Sequence, residues 1–312
     1  MIGPSPAYST HSSAEAAHAG TAHISYNLDP HNLWYPDLND LRLKVKYNQA
    51  ISGILIINPD NPTGAVYPSE ILEEFVAIAE EYDLFIVCDE TYLNLAYNSK
   101  KVTPLSAVIR NACAISMKSI SKELPWPGSR CGWIEVYNAK KDSTFAQYMK
   151  SIEDSKMLEV CSTSLPQRVI PKIFTDARYR MHVEQRNNKY ERRAKIAYDL
   201  LKDVTGIVVN MTNGAFYMTV MFEEGVLNHK QSLPVQNKAI KDLVDEIAID
   251  VALDKRFVYY LLATTGICVV PLTGFNCTLQ GFRITLLEDS DIKFEQIFKT
   301  VKDKIIEYLK SA

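Results

Sequence analysis

From Ile51 the chain runs through an apolar segment, a turn, an amphipathic helix and a second apolar segment: ISGILIIN, NPDNPTG, SEILEEFVAIAEEY and LFIVCDE. Short continuous apolar runs suit strands buried on both faces, and a helical repeat of about 3.6 residues between two of them is the grammar of a βαβ unit. This pattern restricts the chain to a sheet that is mixed or parallel and covered by helices. In the helical stretch Ile71, Leu72, Phe75, Val76, Ala79 and Tyr82 share one face, and acidic residues take the other. Ser69, after Pro68, is the expected N-cap.

Two more β-rich runs, NACAISM at 111–117 and RCGWIEVY at 130–137, extend the same sheet. Residues 142–202 read as mostly helical, with charges at helical spacing around Arg178 to Arg193 and interruptions at Pro166 and Pro171. A long connecting helix fits there. The remainder alternates: GIVVNMTNGAFYMTVMF, a helix near 235–264, GICVVPLTG, GFRITLL, and a last amphipathic helix from about Ser290 to Leu309. We expect a large domain over 1–188 and a smaller α+β domain over 189–312, with no internal repeats and no low-complexity linker.

Composition excludes several function classes. A net charge of −3, with no long Lys/Arg block, argues against a nucleic-acid or anionic membrane partner and for a small molecule. No segment approaches the roughly 18 apolar residues of a membrane span, and MIGPSPAYSTHSS resembles no signal peptide, so a cytoplasmic location is expected. Cys88, Cys113, Cys131, Cys161, Cys268 and Cys277 are scattered without ligand spacing, and are expected to be reduced and mostly buried. The histidines form no metal motif, and neither a Walker loop nor a nucleophile elbow is present; no metal is expected.

Chemistry concentrates in three segments. Ser119-Ile120-Ser121-Lys122 is followed by Pro127-Gly128-Ser129-Arg130-Cys131-Gly132, directly after an apolar run. A lysine is nucleophilic when unprotonated, partial burial beside a cation such as Arg130 favours that form, and the arginine fork suits a phosphate. Asp89-Glu90-Thr91-Tyr92 ends the strand LFIVCDE, and strand carboxyl ends are where open α/β sheets place ligands. In Asn58-Pro59-Asp60-Asn61-Pro62-Thr63-Gly64 two prolines restrict the loop and Gly64 permits a sharp exit, which holds the Asn61 amide in place. Taken alone, each segment also describes an ordinary turn, cap or surface loop.

Together these segments resemble the S-x-S-K…P-G-x-R-x-G, D-E-x-Y and N-P-x-N-P-T-G elements of the class I/II (fold type I) aminotransferases, which use pyridoxal phosphate. The resemblance implies a fold like that of other pyridoxal-phosphate-dependent transferases: α/β, a mostly parallel sheet sandwiched by helices, plus a smaller α+β C-terminal domain. It implies that Lys122 holds the cofactor as a Schiff base and shuttles a proton at the substrate, while Ser119 and Arg130 bind the phosphate. Asp89 takes the pyridine nitrogen, Tyr92 the phenolic oxygen, and Asn61 lies between that oxygen and a substrate carboxylate. Pro6-Ala7-Tyr8 is similar to the family's P-x-aromatic element, whose ring stacks on the cofactor, so Tyr8 takes that part. Val269-Val270-Pro271, Gly274-Phe275 and Gly281-Phe282-Arg283-Ile284 resemble the closing segment whose arginine clamps the α-carboxylate, here Arg283. Asn213-Gly214-Ala215-Phe216-Tyr217 is assigned to small-domain packing, Glu90 to structure, and Lys118 lacks the spacing of a reactive lysine.

The implied reaction is transfer of an amino group from an L-amino acid to a 2-oxo acid. The alternatives are lyase or decarboxylase chemistry on the same fold, or a non-catalytic truncated relative. Family members also carry an N-terminal stretch that this sequence is expected to lack ahead of Tyr8, leaving the phosphate cup incomplete; with that stretch a homodimer is expected. The side chain of the substrate is not legible.

Overall fold

The computed structural model describes residues 1–311. In chain order the elements are β1 (Ile2–Ser5), α1 (Ser9–Ala19), β2 (Ile24–Asp29), β3 (Tyr35–Pro36), α2 (Leu38–Tyr47), β4 (Gly53–Ile57), α3 (Ser69–Glu81), β5 (Phe85–Asp89), α4 (Leu105–Val108), β6 (Ala114–Ser119), α5 (Ile120–Glu123) and β7 (Gly132–Tyr137). Then come α6 (Ser143–Met157), α7 (Ser164–Thr175), α8 (Arg178–Leu201), β8 (Ile207–Val209), β9 (Tyr217–Phe222), α9 (Lys238–Ile247), α10 (Leu253–Thr265), β10 (Val270–Pro271), β11 (Gly281–Thr285) and α11 (Asp291–Leu309).

Seven strands form one sheet in the order β3-β2-β1-β4-β5-β6-β7. The five inner strands are parallel, and β3 and β7 run antiparallel at the two edges. All five residues of β4 are buried, which is why its sequence is a continuous apolar run. Its side chains alternate between two cores. Ile54 and Ile56 join Ile86, Ala114 and the α3 residues Leu72, Phe75 and Val76 on one face. Leu55 and Ile57 join Val87, Ile115 and the α6 residues Phe145 and Met149 on the other. Each such fully buried side chain contributes roughly 1.5–3 kcal/mol.

The second sheet is antiparallel, β10-β11-β9-β8, and packs under α8, α10 and α11 through Phe222, Phe257, Phe282, Phe298 and Tyr308. Helix α8 runs from one sheet toward the other. Its buried Arg193 donates to Asp291 Oδ1 (2.9 and 3.0 Å), Leu286 O (2.9 Å) and Asp289 O (3.1 Å), so one guanidinium ties α8 to the start of α11. The expected α/β architecture with a smaller α+β unit is therefore present. The boundary drawn at 188/189 falls inside α8.

Four local expectations are corrected. Ser69 is the first residue of α3, and Pro68 occupies the cap position without a side-chain bond. Pro166 and Pro171 lie within α7, and the breaks fall at 158–163 and 176–177. Pro166 sits in the first turn, where an N–H has no partner in the helix anyway. The helix expected over 235–264 is two, α9 and α10, because the backbone leaves helical geometry at Ala248 and re-enters a helix only after Ala252. Finally, the cysteines are free as expected but not mostly buried: Cys88 is, whereas Cys161 and Cys268 are exposed.

Candidate active site

Three adjacent parallel strands deliver the chemistry from their carboxyl ends. After β4 comes the Asn58–Gly64 loop, β5 ends on Asp89, and β6 runs straight into α5 and Lys122. The loop is stiff before any ligand arrives. Asn58 N donates to Asp89 O (3.0 Å), and Asn58 Oδ1 accepts from Tyr67 N (2.9 Å). Asp60 Oδ2 accepts from Thr63 N (3.0 Å) and from the Thr63 hydroxyl. Gly64, at φ +72°, passes so close to the small sheet that a Cβ would lie 2.6 Å from Tyr217 O, so glycine alone fits. Its carbonyl accepts from Asn213 N (3.1 Å) and Gly214 N (2.9 Å), and Thr219 Oγ1 donates to Pro62 O (2.9 Å). Asp60 is fully buried with Oδ1 unpartnered, and burial pushes its carboxyl up to about 7 despite the bonds from Thr63.

The small sheet brings in Arg283 from β11. Arg283 Nη1 donates to Asn61 Oδ1 (2.9 Å), and the guanidinium lies 4.4 Å from the ring centre of Tyr217 and 4.9 Å from that of Phe275. Its Nε is buried and has no partner. Desolvation lowers its pKa, so the buried cation favours an anionic ligand. Tyr217 also bonds Tyr92, hydroxyl to hydroxyl, at 2.9 Å. Tyr92 is buried, and burial first, then Tyr217, raises its pKa far above the ordinary phenol value. It is a neutral donor at all working pH.

At Asp89, burial alone would raise the carboxyl. Hydrogen bonds from His11 Nε2 to Oδ2 (2.8 Å) and from Thr91 N to Oδ1 (2.9 Å) more than offset it and hold the group below its ordinary value, hence ionised. His11 was not singled out from sequence. Its signal is the three-residue step from Tyr8 at the start of α1, with the two rings 5.8 Å apart and edge-on. Tyr8 itself is 42% exposed.

Lys122 is half-buried, with Nζ 5.7 Å from the Phe216 ring centre. Ser119 caps its helix by accepting from Ser121 N (3.0 Å). The next residue, Glu123, is buried and accepts from Asn94 Nδ2 (2.8 Å) and from the Tyr179 hydroxyl. From α8, Arg186 donates to Glu123 O and to Asn94 O, the latter at 2.8 Å, and Asn187 donates to Ala96 O (3.0 Å). Helix α8 thus props both the lysine turn and the turn after Tyr92, a role no local motif announced. Lys118 is committed elsewhere, to Glu135 (2.7 Å) and Glu90 (3.6 Å), and Glu90 caps α4 by accepting from Leu105 N (2.6 Å). Arg130 is exposed at φ 50° and donates to Pro127 O (2.8 Å) in its own turn.

The donor set fits pyridoxal phosphate. An ionised Asp89 with spare lone pairs, a Tyr92 hydroxyl, the Asn61 amide and Lys122 stand at neighbouring strand ends, and Tyr8 is exposed. No group of three or more His, Cys, Asp or Glu side chains among the described residues is arranged for a metal. No described helix is long and apolar enough to cross a membrane. A groove of 1510 Å³ on the α6 side of the large sheet shares only His11 with the candidate site residues described here.

The family described as aminotransferase class I and II matches residues 1–293. An uncharacterized aminotransferase of Methanocaldococcus jannaschii is 57% identical over 311 residues, covering 100% of this chain and 72% of its own length. The glutamate-pyruvate aminotransferase AlaA of Escherichia coli is 30% identical over 219 residues, 70% of this chain and 53% of its own. This chain thus spans about half the length of the second relative. Among solved structures, an aminotransferase from E. coli superposes at TM-score 0.80 with 24% identity, covering 99% of this chain and 69% of that one. An alanine aminotransferase from Pyrococcus furiosus superposes at 0.79 with 23% identity, covering 100% and 70%. At that identity the likeness shows the fold, which is the one the resemblance implied.

Proposed function

The chain belongs to the class I and II aminotransferase family, and from that premise we propose that it moves an amino group from an L-amino acid to a 2-oxo acid, with pyridoxal phosphate attached at Lys122 Nζ. The observation that carries this reading is a partly buried, half-paired arginine bonded to Asn61, in the loop that leaves the strand next to the one ending on Asp89. Arg283 keeps Nε free while Asn61 fixes its far edge, which is the form of a receptor for a carboxylate. Both amino acids and 2-oxo acids carry one.

When bound, the cofactor supplies an electron sink for the pair left at the substrate Cα. Asp89, held ionised by His11 and Thr91, would keep a proton on the pyridine nitrogen. Tyr92 would donate to the ring oxygen and Asn61 would sit between that oxygen and the substrate. Ser119 and Arg130 would take the phosphate, and Tyr8 would stack on the ring. With the carboxylate clamped, Lys122 Nζ takes the proton from Cα and returns it on the other side of the transfer. Arg186, bonded to Glu123 O, keeps that amine's turn from drifting. With the family's N-terminal stretch present, a second copy of the chain is the expected protein partner, and the cytoplasm is the expected location.

Glutamate and pyruvate, the pair in the E. coli relative's name, are the first substrates to try. The test supplies that pair and then a panel of L-amino acids to the protein with pyridoxal phosphate, and follows the new amino acid and the new 2-oxo acid together. Equimolar formation of both, absent in Lys122→Ala, is expected. Release of ammonia or carbon dioxide in place of a new amino acid, or no turnover of any donor, would overturn the reading.

A further inference from the structure

Residues 213–217 read from sequence as packing for the small sheet, yet the last of them reaches into the site. Tyr217 opens β9 two residues before Thr219, which pairs directly with Arg283 on β11, so Tyr217 is the diagonal neighbour of Arg283 on the same face. Its ring lies 4.4 Å from the Arg283 guanidinium, and its hydroxyl lies 2.9 Å from that of Tyr92. Its backbone is fixed as well. Phe216 O accepts from Leu286 N (2.9 Å), and Gly64 packs against Tyr217 O. One rigid side chain therefore touches a residue on the cofactor side and the residue on the carboxylate side.

We propose that Tyr217 is a positioning residue that couples the two: its hydroxyl orients the Tyr92 phenol, and its ring holds the Arg283 guanidinium in line with Asn61. The inference rests on the reading of Tyr92 and Arg283 given above. Either phenol can donate in the pair. Once Tyr92 turns its proton toward the site, its oxygen accepts from Tyr217, and a donor chain of this kind strengthens the outer bond. Tyr217 acts through Tyr92 and Arg283 and need not touch substrate itself. Removing its hydroxyl and removing its ring should have separable effects.

The experiment uses Tyr217→Phe and Tyr217→Leu beside Tyr92→Phe and the double Tyr92→Phe/Tyr217→Phe. The first readout is the pH midpoint of the visible band of the pyridoxal-phosphate-loaded protein. Tyr217→Phe should shift it in the same direction as Tyr92→Phe, by about 0.5–1 pH unit, and the double variant should shift it less than the sum. The second readout is the affinity of the chain without cofactor for propanoate, a carboxylate that cannot react. Tyr217→Phe should keep it, whereas Tyr217→Leu should weaken it roughly 3- to 30-fold. If Tyr217→Leu does not fold, Tyr217→Met takes its place.

A Tyr217→Phe midpoint equal to wild type, or an additive double variant, overturns the hydroxyl half. Unchanged propanoate affinity on loss of the ring overturns the other. If wild type forms no band at all, the cofactor reading has failed instead, and the propanoate arm still decides the link to Arg283.

Discussion

Two arginines that the proposed function sets at opposite ends of the site are held in opposite ways. Arg283 is partly buried on a strand, flanked by Tyr217 and Phe275, bonded to Asn61, and left with one free N–H. Arg130 is exposed at the exit of a short turn and bonds the carbonyl of its own Pro127. Arg283 is thus organised before ligand arrives, while Arg130, in the phosphate role proposed for it, must break a local bond and order an exposed side chain. Ordering such a side chain costs about 0.5–1.5 kcal/mol. The difference teaches that position in a motif does not fix readiness to bind: both arginines sit at family positions, and only one is held in a receptor-like pose.

The largest effect should come from breaking the organised end. Arg283→Leu removes the cation and strands the Asn61 amide, and should weaken carboxylate binding by about 10²- to 10³-fold, read as KM for any active donor or as propanoate affinity. Arg283→Lys should recover little of this, since an ammonium cannot reproduce the fork. Next in size is the buried carboxyl under the Asn58–Gly64 loop. Asp60 has a raised carboxyl, from an ordinary 3.8 to about 7, so the folded state binds its proton more tightly than the unfolded one. That contribution is complete below pH 3.8 and is lost as pH rises through about 7. Relative to Asp60→Asn, wild type should therefore lose on the order of 5 °C of Tm between pH 5 and pH 8. A gap that stays constant or widens in favour of wild type contradicts the buried carboxyl.

The smallest effect should be at the other end. Arg130→Gln should raise the Kd for pyridoxal phosphate about tenfold, with Tm unchanged, because the lost bonds are made only on binding. An effect as large as that of Arg283→Leu would erase the comparison.

Much of this was legible because it is local. The continuous apolar run of β4 predicts a strand buried on both faces, and the loop after it, the Asp89 turn and the Lys122 turn are each contiguous, so strand order alone brings them together. Lys118 and Glu90, which the spacing leaves outside the candidate site, are engaged by their neighbours. What escaped depends on partners far along the chain. His11 meets Asp89 across 78 positions, and Tyr217 meets Tyr92 across 125. The props from α8 to Asn94 and Glu123 likewise have no spacing that announces them. Pro166 misled because proline reads as a breaker, whereas a first-turn proline loses no bond, and Pro171 lies inside α7 although its ring costs that helix one backbone bond. The direction of the Arg130 side chain depends on a left-handed φ in a short turn, which the P-G-S-R sequence permits but does not require.

The most direct test of the central claim is borohydride trapping on the purified chain with added pyridoxal phosphate, with peptide mapping of the reduced product. The account predicts a visible absorbance band that borohydride abolishes, with the label on Lys122 alone and neither band nor label in Lys122→Ala. A label on Lys118, or labelling unchanged by Lys122→Ala, would contradict it.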